Sequence, residues 1–216
     1  MIVRFSDFKT NEYRQLVGGE LYEPEEANPM LGWRGASRYY HPTFKPAFIM
    51  ECQAIKRARE VFGLKNIKVM VPFCRTPEEG EKVLEIMKQA GLEKGKDGLD
   101  VYVMAELPSN VVLADEFLKI FDGMSIGSND LLQLTMGIDR DNGNLAKIAD
   151  ENNPAIRGAI SQIIKACKAK NKYVGICGQG PSDLPEFAEF LLKEGIESIS
   201  LNPDTIIKTI LNLSKK

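Results

Sequence analysis

The stretch DVYVMAELPSNVVLADEFLKIFDGMSIGSND, residues 100–130, contains a strand, a helix and a second strand in one pass. Asp100–Glu106 is a short, nearly continuous β-rich run, and Gly123–Gly127 is another, the pattern of strands buried on both faces. Between them Ser109-Asn110 opens a helical pattern that runs to about Ile120. Strand, helix and strand in that order form a βαβ unit, which requires parallel strands.

The same alternation extends in both directions. Upstream lies Lys68–Phe73 (KVMVPF), and Ile2–Phe5 is a further strand; downstream lie Tyr173–Cys177 (YVGIC) and Glu197–Leu201 (ESISL). Helices fill the gaps. One covers Pro46 to Phe62. Thr76 caps the next, with Pro77 in its first turn and Glu79 completing a capping box, and Gly91 stops it. Asn153-Pro154 opens a helix to about Ala169, Ser182-Asp183 opens one ending near Gly195, and Asn202-Pro203 opens the last. Asn28–Arg38 reads as a Gly/Pro-rich connection or a short strand. The alternation fits a barrel or an open doubly wound sheet, and no GxGxxG follows the first strand to favour a dinucleotide fold. Six or seven strands are expected. A complete (β/α)8 barrel of the TIM type needs eight, over ~250 residues. One N-terminal βα unit is therefore expected to be missing from a single domain spanning residues 1–216.

Composition narrows the function classes. With 216 residues the chain can bury a sizeable core, and a net charge of −2 gives bulk electrostatics no preference for nucleic acid. No apolar run approaches the ~20 residues of a membrane span, and the N-terminus lacks a signal-peptide layout, so the cytoplasm is the expected location. The four cysteines, Cys52, Cys74, Cys167 and Cys177, form no CxxC or zinc pattern. His41 is the single histidine, which excludes a multi-histidine metal site.

In α/β barrels chemistry gathers where strands end. The strand ends here carry Glu106, Ser128-Asn129-Asp130 and Cys177. Each carboxylate alone can be a helix cap. As a pair on neighbouring strand ends, Glu106 and Asp130 are hard oxygen ligands suited to Mg²⁺ or Mn²⁺. Arg4 sits among apolar neighbours in the first strand, where a buried guanidinium would need an anion: a structural salt bridge, or a substrate phosphate or carboxylate. Arg34 and Arg140 are surface residues or further anion ligands. Cys177 is a core thiol or, beside its Gly-rich sequel, a proton carrier. Cys52 and Cys167 read as core, and Cys74 fits either reading.

Three stretches in combination, Asn28–Gly35 (NPMLGWRG), Ser125–Leu131 (SIGSNDL) and Gly175–Asp183 (GICGQGPSD), resemble the C-terminal domain of the phosphoenolpyruvate (PEP) synthases, the pyruvate, water dikinases. The resemblance covers essentially the whole chain, including Ser198–Asp204 (SISLNPD). Pyruvate phosphate dikinase and enzyme I of the sugar phosphotransferase system share that barrel. The resemblance implies that Glu106 and Asp130 bind the metal, that Arg4, Arg34 and Arg140 grip the substrate phosphate and carboxylate, and that Asn129, with Ser128 beside it, contacts the phosphate. It implies that Cys177 moves a proton at the methyl carbon of pyruvate, while Mg²⁺ stabilises the enolate. The whole family enzyme converts ATP, pyruvate and water to AMP, PEP and phosphate. Its phosphohistidine and ATP-binding domains have no counterpart here, so this chain is expected to be inactive in the full reaction. A homodimer is also implied. The competing readings are an enzyme I-like phosphotransferase domain, a metal-dependent lyase or mutase, and a non-catalytic dimerisation module.

Overall fold

The computed structural model describes residues 1–139, 142–145 and 148–214. Six strands are found among the described residues: β1 (Ile2–Arg4), β2 (Lys68–Val71), β3 (Val101–Ala105), β4 (Gly123–Gly127), β5 (Tyr173–Cys177) and β6 (Ser198–Ile199). The chain divides after Tyr102, within β3, into two compact units.

In the first unit β1 pairs in parallel with β2, with Val3 opposite Val69. The connection from β1 to β2 carries α1 (Thr10–Arg14), α2 (Ala36–Tyr39) and α3 (Lys45–Glu60), and α4 (Pro77–Gln89) follows β2. Thr76 caps α4 as expected by accepting from the Glu79 N–H. Glu79 does not return the bond to Thr76 but accepts from the N–H of Arg75 at 2.8 Å, one residue earlier. The core of this unit is aromatic. Tyr39 stacks on Phe48 at 4.2 Å, and Phe5 meets Phe48 edge-on at 5.0 Å.

Asn28–Arg38 contains no strand; it is a turn-rich connection running into α2. What orders it is Arg38, whose side chain is fully buried. Its guanidinium donates to both carboxylate oxygens of Glu23, at 2.8 and 2.5 Å, and to the carbonyl of Trp33 at 2.8 Å. The rings of Tyr13, Trp33 and Phe44 surround it. A buried, hydrogen-bonded pair costs most when one partner is removed, because the other charge stays buried alone. Arg38→Ala is therefore expected to lower stability by about 3–5 kcal/mol, read as a lower urea midpoint. Arg4 corrects the sequence reading. It is exposed, not buried, because β1 is only three residues long, is half-buried itself, and ends at Arg4.

In the second unit β4 pairs in parallel with β5, and β5 with β6, so neighbours in the sheet are again neighbours in the chain. The helices are α5 (Pro108–Val112), α6 (Ala114–Ile120), α7 (Ser128–Met136), α8 (Pro154–Ala169), α9 (Gly180–Asp183), α10 (Pro185–Glu194) and α11 (Ile206–Ser214). The helix expected from Ser109 to Ile120 is broken at Leu113, whose backbone (φ −104, ψ 25) leaves the helical region. The α8 helix matches its expected bounds. Asn153 Oδ1 accepts from the Ala155 N–H at 2.9 Å, and Ile156, Ile160, Ile163, Ile164 and Cys167 are buried at helical spacing. Chain-order pairing of parallel strands in each unit is the connectivity of a (β/α) barrel; a doubly wound sheet reverses its order at a switch point. No described helix is long and apolar enough to cross a membrane.

Candidate functional site

The site features of the second unit lie where β3, β4 and β5 end. Glu106 follows β3 and is 2 % exposed. Capping at that junction falls to Asn110, whose Oδ1 accepts from the N–H groups of Glu106 and Leu107 at 3.1 and 2.9 Å. The Glu106 carboxylate instead reaches over the end of β4. A Cβ added to Gly127 would lie 2.9 Å from Glu106 Oε2, so the missing side chain makes the space the carboxylate uses.

Asp130 lies in the first turn of α7, where the helix dipole favours negative charge. Ser128-Asn129-Asp130 directly follow β4, as the sequence suggests, and form the opening turn of α7. Carboxylate oxygens of Glu106 and Asp130 approach within 4.8 Å of each other. Two like charges this close, one of them buried, are stabilised by a cation between them. Oxygen donors without nitrogen or sulfur suit a hard divalent ion, Mg²⁺ or Mn²⁺, so the residues fit the metal that the sequence implies.

Ser128 is fully buried, and its hydroxyl has no hydrogen-bond partner among the described residues. It fills the space beside Gly178, whose φ of 150° is rarely adopted by other residues. A Cβ on Gly178 would sit 2.1 Å from Ser128 Oγ and 3.7 Å from Asn129 Oδ1. The turn after β5 thus comes down on the first turn of α7.

Cys177 ends β5 opposite Gly127. It is half-buried, whereas Cys52, Cys74 and Cys167 are buried. Burial pushes the Cys52 and Cys167 thiols up to about 12, and raises Cys74 as well. Cys74 therefore takes the core reading, its thiol directed at the Thr76 carbonyl at 3.3 Å. Only thiolates are alkylated readily. Iodoacetamide is expected to modify Cys177 first in the folded protein and the other three only on unfolding, which peptide mass spectrometry would read.

In the first unit Arg34 is 5 % exposed and bound through both arms of its guanidinium to Asp7, at 3.2 and 2.7 Å. It lies 4.0 Å over the Phe73 ring. Arg75 approaches the same ring at 4.8 Å and donates to the Gly32 carbonyl and to Ser37 Oγ, tying the Leu31–Arg34 segment to the end of β2. Arg140 lies outside the described residues. His41 is exposed, edge-on to Trp33, with its Nδ1 against Thr43 Oγ1 at 2.8 Å.

The sequence reading missed Asp7, Asn110 and Ser125. Asp7 carried a usable signal: it lies just past the end of the first strand, and proximity to a strand end is what singled out Glu106 and Asp130. Asn110 carried a local one, as a residue at the opening of the helix after β3; Ser125 carried none, since its partner is brought to it by folding.

The family description "PEP-utilising enzyme, PEP-binding domain" matches residues 1–216. This chain belongs to that family. Among curated relatives, the PEP synthase of Aquifex aeolicus is 65 % identical over 211 residues, covering 98 % of this chain and 25 % of the relative. The PEP synthase of Synechocystis is 57 % identical over 215 residues, covering 100 % and 26 %. That of Escherichia coli is 53 % identical over 215 residues, covering 100 % and 27 %. The chain thus spans about a quarter of the length of these relatives. Among solved structures, a citrate lyase from Burkholderia xenovorans superposes with a TM-score of 0.56 at 13 % identity, covering all of this chain and 77 % of that one. At that identity the likeness shows a shared fold alone.

Proposed function

We propose that this domain binds PEP and interconverts pyruvate and PEP by Mg²⁺-dependent enolate chemistry, as part of a longer PEP synthase. The observation that carries the reading is the pair Glu106 and Asp130, with carboxylates within 4.8 Å at neighbouring strand ends, and Cys177 at the end of the next strand. The names and high identity of the relatives support the synthase branch.

Glu106 and Asp130 would hold the metal, Mg²⁺ or alternatively Mn²⁺. A bound divalent cation supplies positive charge to offset the charge that grows on the keto oxygen. The remaining work belongs to side chains. The Cys177 thiolate takes a proton from the methyl carbon of pyruvate; the C–H electron pair becomes part of the C=C bond and the carbonyl pair moves onto oxygen. That oxygen accepts the phosphoryl group from a phosphohistidine elsewhere in the longer protein, and the reverse sequence returns the proton to carbon. Arg4, Arg34 and Arg140 are assigned to the substrate phosphate and carboxylate, and Ser128 and Asn129 to the phosphate. Buried Ser128 offers a hydroxyl that would gain a partner there.

For the longer protein we infer the reaction of ATP, pyruvate and water to AMP, PEP and phosphate, a cytoplasmic location and a homodimer. The six strands are read as part of a (β/α)8 barrel. Titration calorimetry of this chain with PEP tests the proposal. Binding is expected with Mg²⁺ and is expected to be lost in EDTA; equal binding in both would remove the metal from the reading.

A further inference from the structure

We propose that Asn110 is a positioning residue for the metal ligand Glu106: its side chain takes up the backbone N–H groups beside that carboxylate and so leaves the carboxylate oxygens to a divalent cation. The inference rests on the reading of Glu106 as a metal ligand and adds a residue that reading does not contain.

The geometry comes from the turn between β3 and α5. Glu106 and Leu107 join the two elements, and Asn110 is the third residue of α5. From there its Oδ1 turns back and accepts from the Glu106 N–H at 3.1 Å and from the Leu107 N–H at 2.9 Å. These donors belong to the two peptide units that flank the Glu106 Cα. Holding both fixes the direction in which the Glu106 side chain leaves the backbone. Asn110 itself is fully buried, so its side chain is held by packing. The Glu106 carboxylate then lies against Gly127, in the space that a Cβ would fill.

Capping α5 does not by itself account for this arrangement. A side chain at the third helical position closes the N–H of the residue just before the helix, here Leu107. The Glu106 N–H lies one residue further back, at the end of the strand, and the bond to it orders the ligand residue. The junction after β2 offers a comparison. There the third residue of α4 is Glu79, whose carboxylate accepts from the Arg75 N–H at 2.8 Å, and Arg75 stands where Glu106 stands before α5. A charged acceptor suits a cation. Beside Glu106 it would add a like charge to a buried carboxylate, and the acceptor found there is the neutral amide of Asn110. Buried N–H groups require an acceptor, and an ionised one binds them roughly twice as strongly as a neutral one. Without Asn110, the acceptor that the chain brings nearest to these two donors is the Glu106 carboxylate itself. Every lone pair it gave to the main chain would be withdrawn from the cation.

The test compares the wild-type chain with Asn110→Ala and Asn153→Ala. The readouts are Mn²⁺ affinity, by electron paramagnetic resonance titration of the metal alone, and the urea midpoint. Asn153 is the control: it is also an asparagine cap in the second unit, its Oδ1 accepting from the Ala155 N–H, but it caps α8, which carries no proposed ligand. Both variants are expected to unfold at lower urea than wild type. Asn110→Ala is expected to bind Mn²⁺ about tenfold more weakly, the lower end of the loss for removing a group that orients a metal ligand. Asn153→Ala is expected to bind it within about twofold of wild type. Wild-type affinity in Asn110→Ala overturns the proposal, as does an equal loss in Asn153→Ala, which would report general loosening. Should Asn110→Ala not fold, Asn110→Ser takes its place with the same expectation, since a serine hydroxyl sits one bond nearer its Cα and cannot reach both N–H groups. Failure of both Asn110 variants to fold overturns the proposal, because the side chain would then serve the fold. A wild-type chain that binds no Mn²⁺ overturns the metal reading and this proposal with it, whereas wild-type binding that survives in Asn110→Ala overturns this proposal alone.

Discussion

Asp130→Ala is expected to weaken Mg²⁺-dependent PEP binding by at least about 100-fold, the upper end of the loss seen when only an outer-shell partner of a metal is removed. The variant takes away one of the two carboxylates brought within 4.8 Å of each other in the second unit, and with it one of the proposed metal ligands. The metal-free protein should behave differently. With Asp130 gone, Glu106 loses a like-charged neighbour, so the variant should unfold at the same denaturant concentration as wild type or slightly higher. The two measurements together separate a ligand from a structural residue. Lost PEP binding with unchanged metal-free stability supports the ligand role. Lost stability without lost binding would assign Asp130 to the opening turn of α7 instead.

Cys177→Ala is expected to keep PEP binding within about threefold while slowing exchange of pyruvate methyl protons with deuterated solvent by about 10²- to 10⁴-fold, the usual range for a positioned acid or base. Proton NMR of pyruvate reads the exchange, and calorimetry reads the binding. The expected split arises because the thiol acts on a proton at carbon and adds little to recognition of the substrate's anionic groups. Unchanged exchange in the variant would remove Cys177 from the chemistry.

Much of the fold was legible because it is locally encoded. The bounds of β4 and β5 follow from short β-rich runs, and α8 begins where Asn153 and Pro154 place a cap and a first turn. The connection between β1 and α2 was not legible. Its order depends on Arg38 meeting Glu23, fifteen residues away in sequence, inside a ring of aromatic side chains that no local pattern announces. The apolar neighbours of Arg4 suggest burial, but a three-residue strand leaves its last side chain exposed. At the candidate site, the rule that chemistry collects at strand ends pointed to Glu106, Asp130 and Cys177 together. The same rule passed over Asp7, and it could not find Ser125, which lies inside its strand and meets Cys177 only through the register of β4 with β5.

The spaces at Gly127 and Gly178 bear on how relatives of this chain should be judged. In each, a missing Cβ gives room to a polar side chain, Glu106 in one case and Ser128 in the other. A homologue could keep every ionisable and nucleophilic residue discussed above and still be disabled by one added methyl group at either position. Sorting working enzymes from degenerate copies by their reactive residues alone would pass such a sequence as intact. The more discriminating check asks whether both glycines survive.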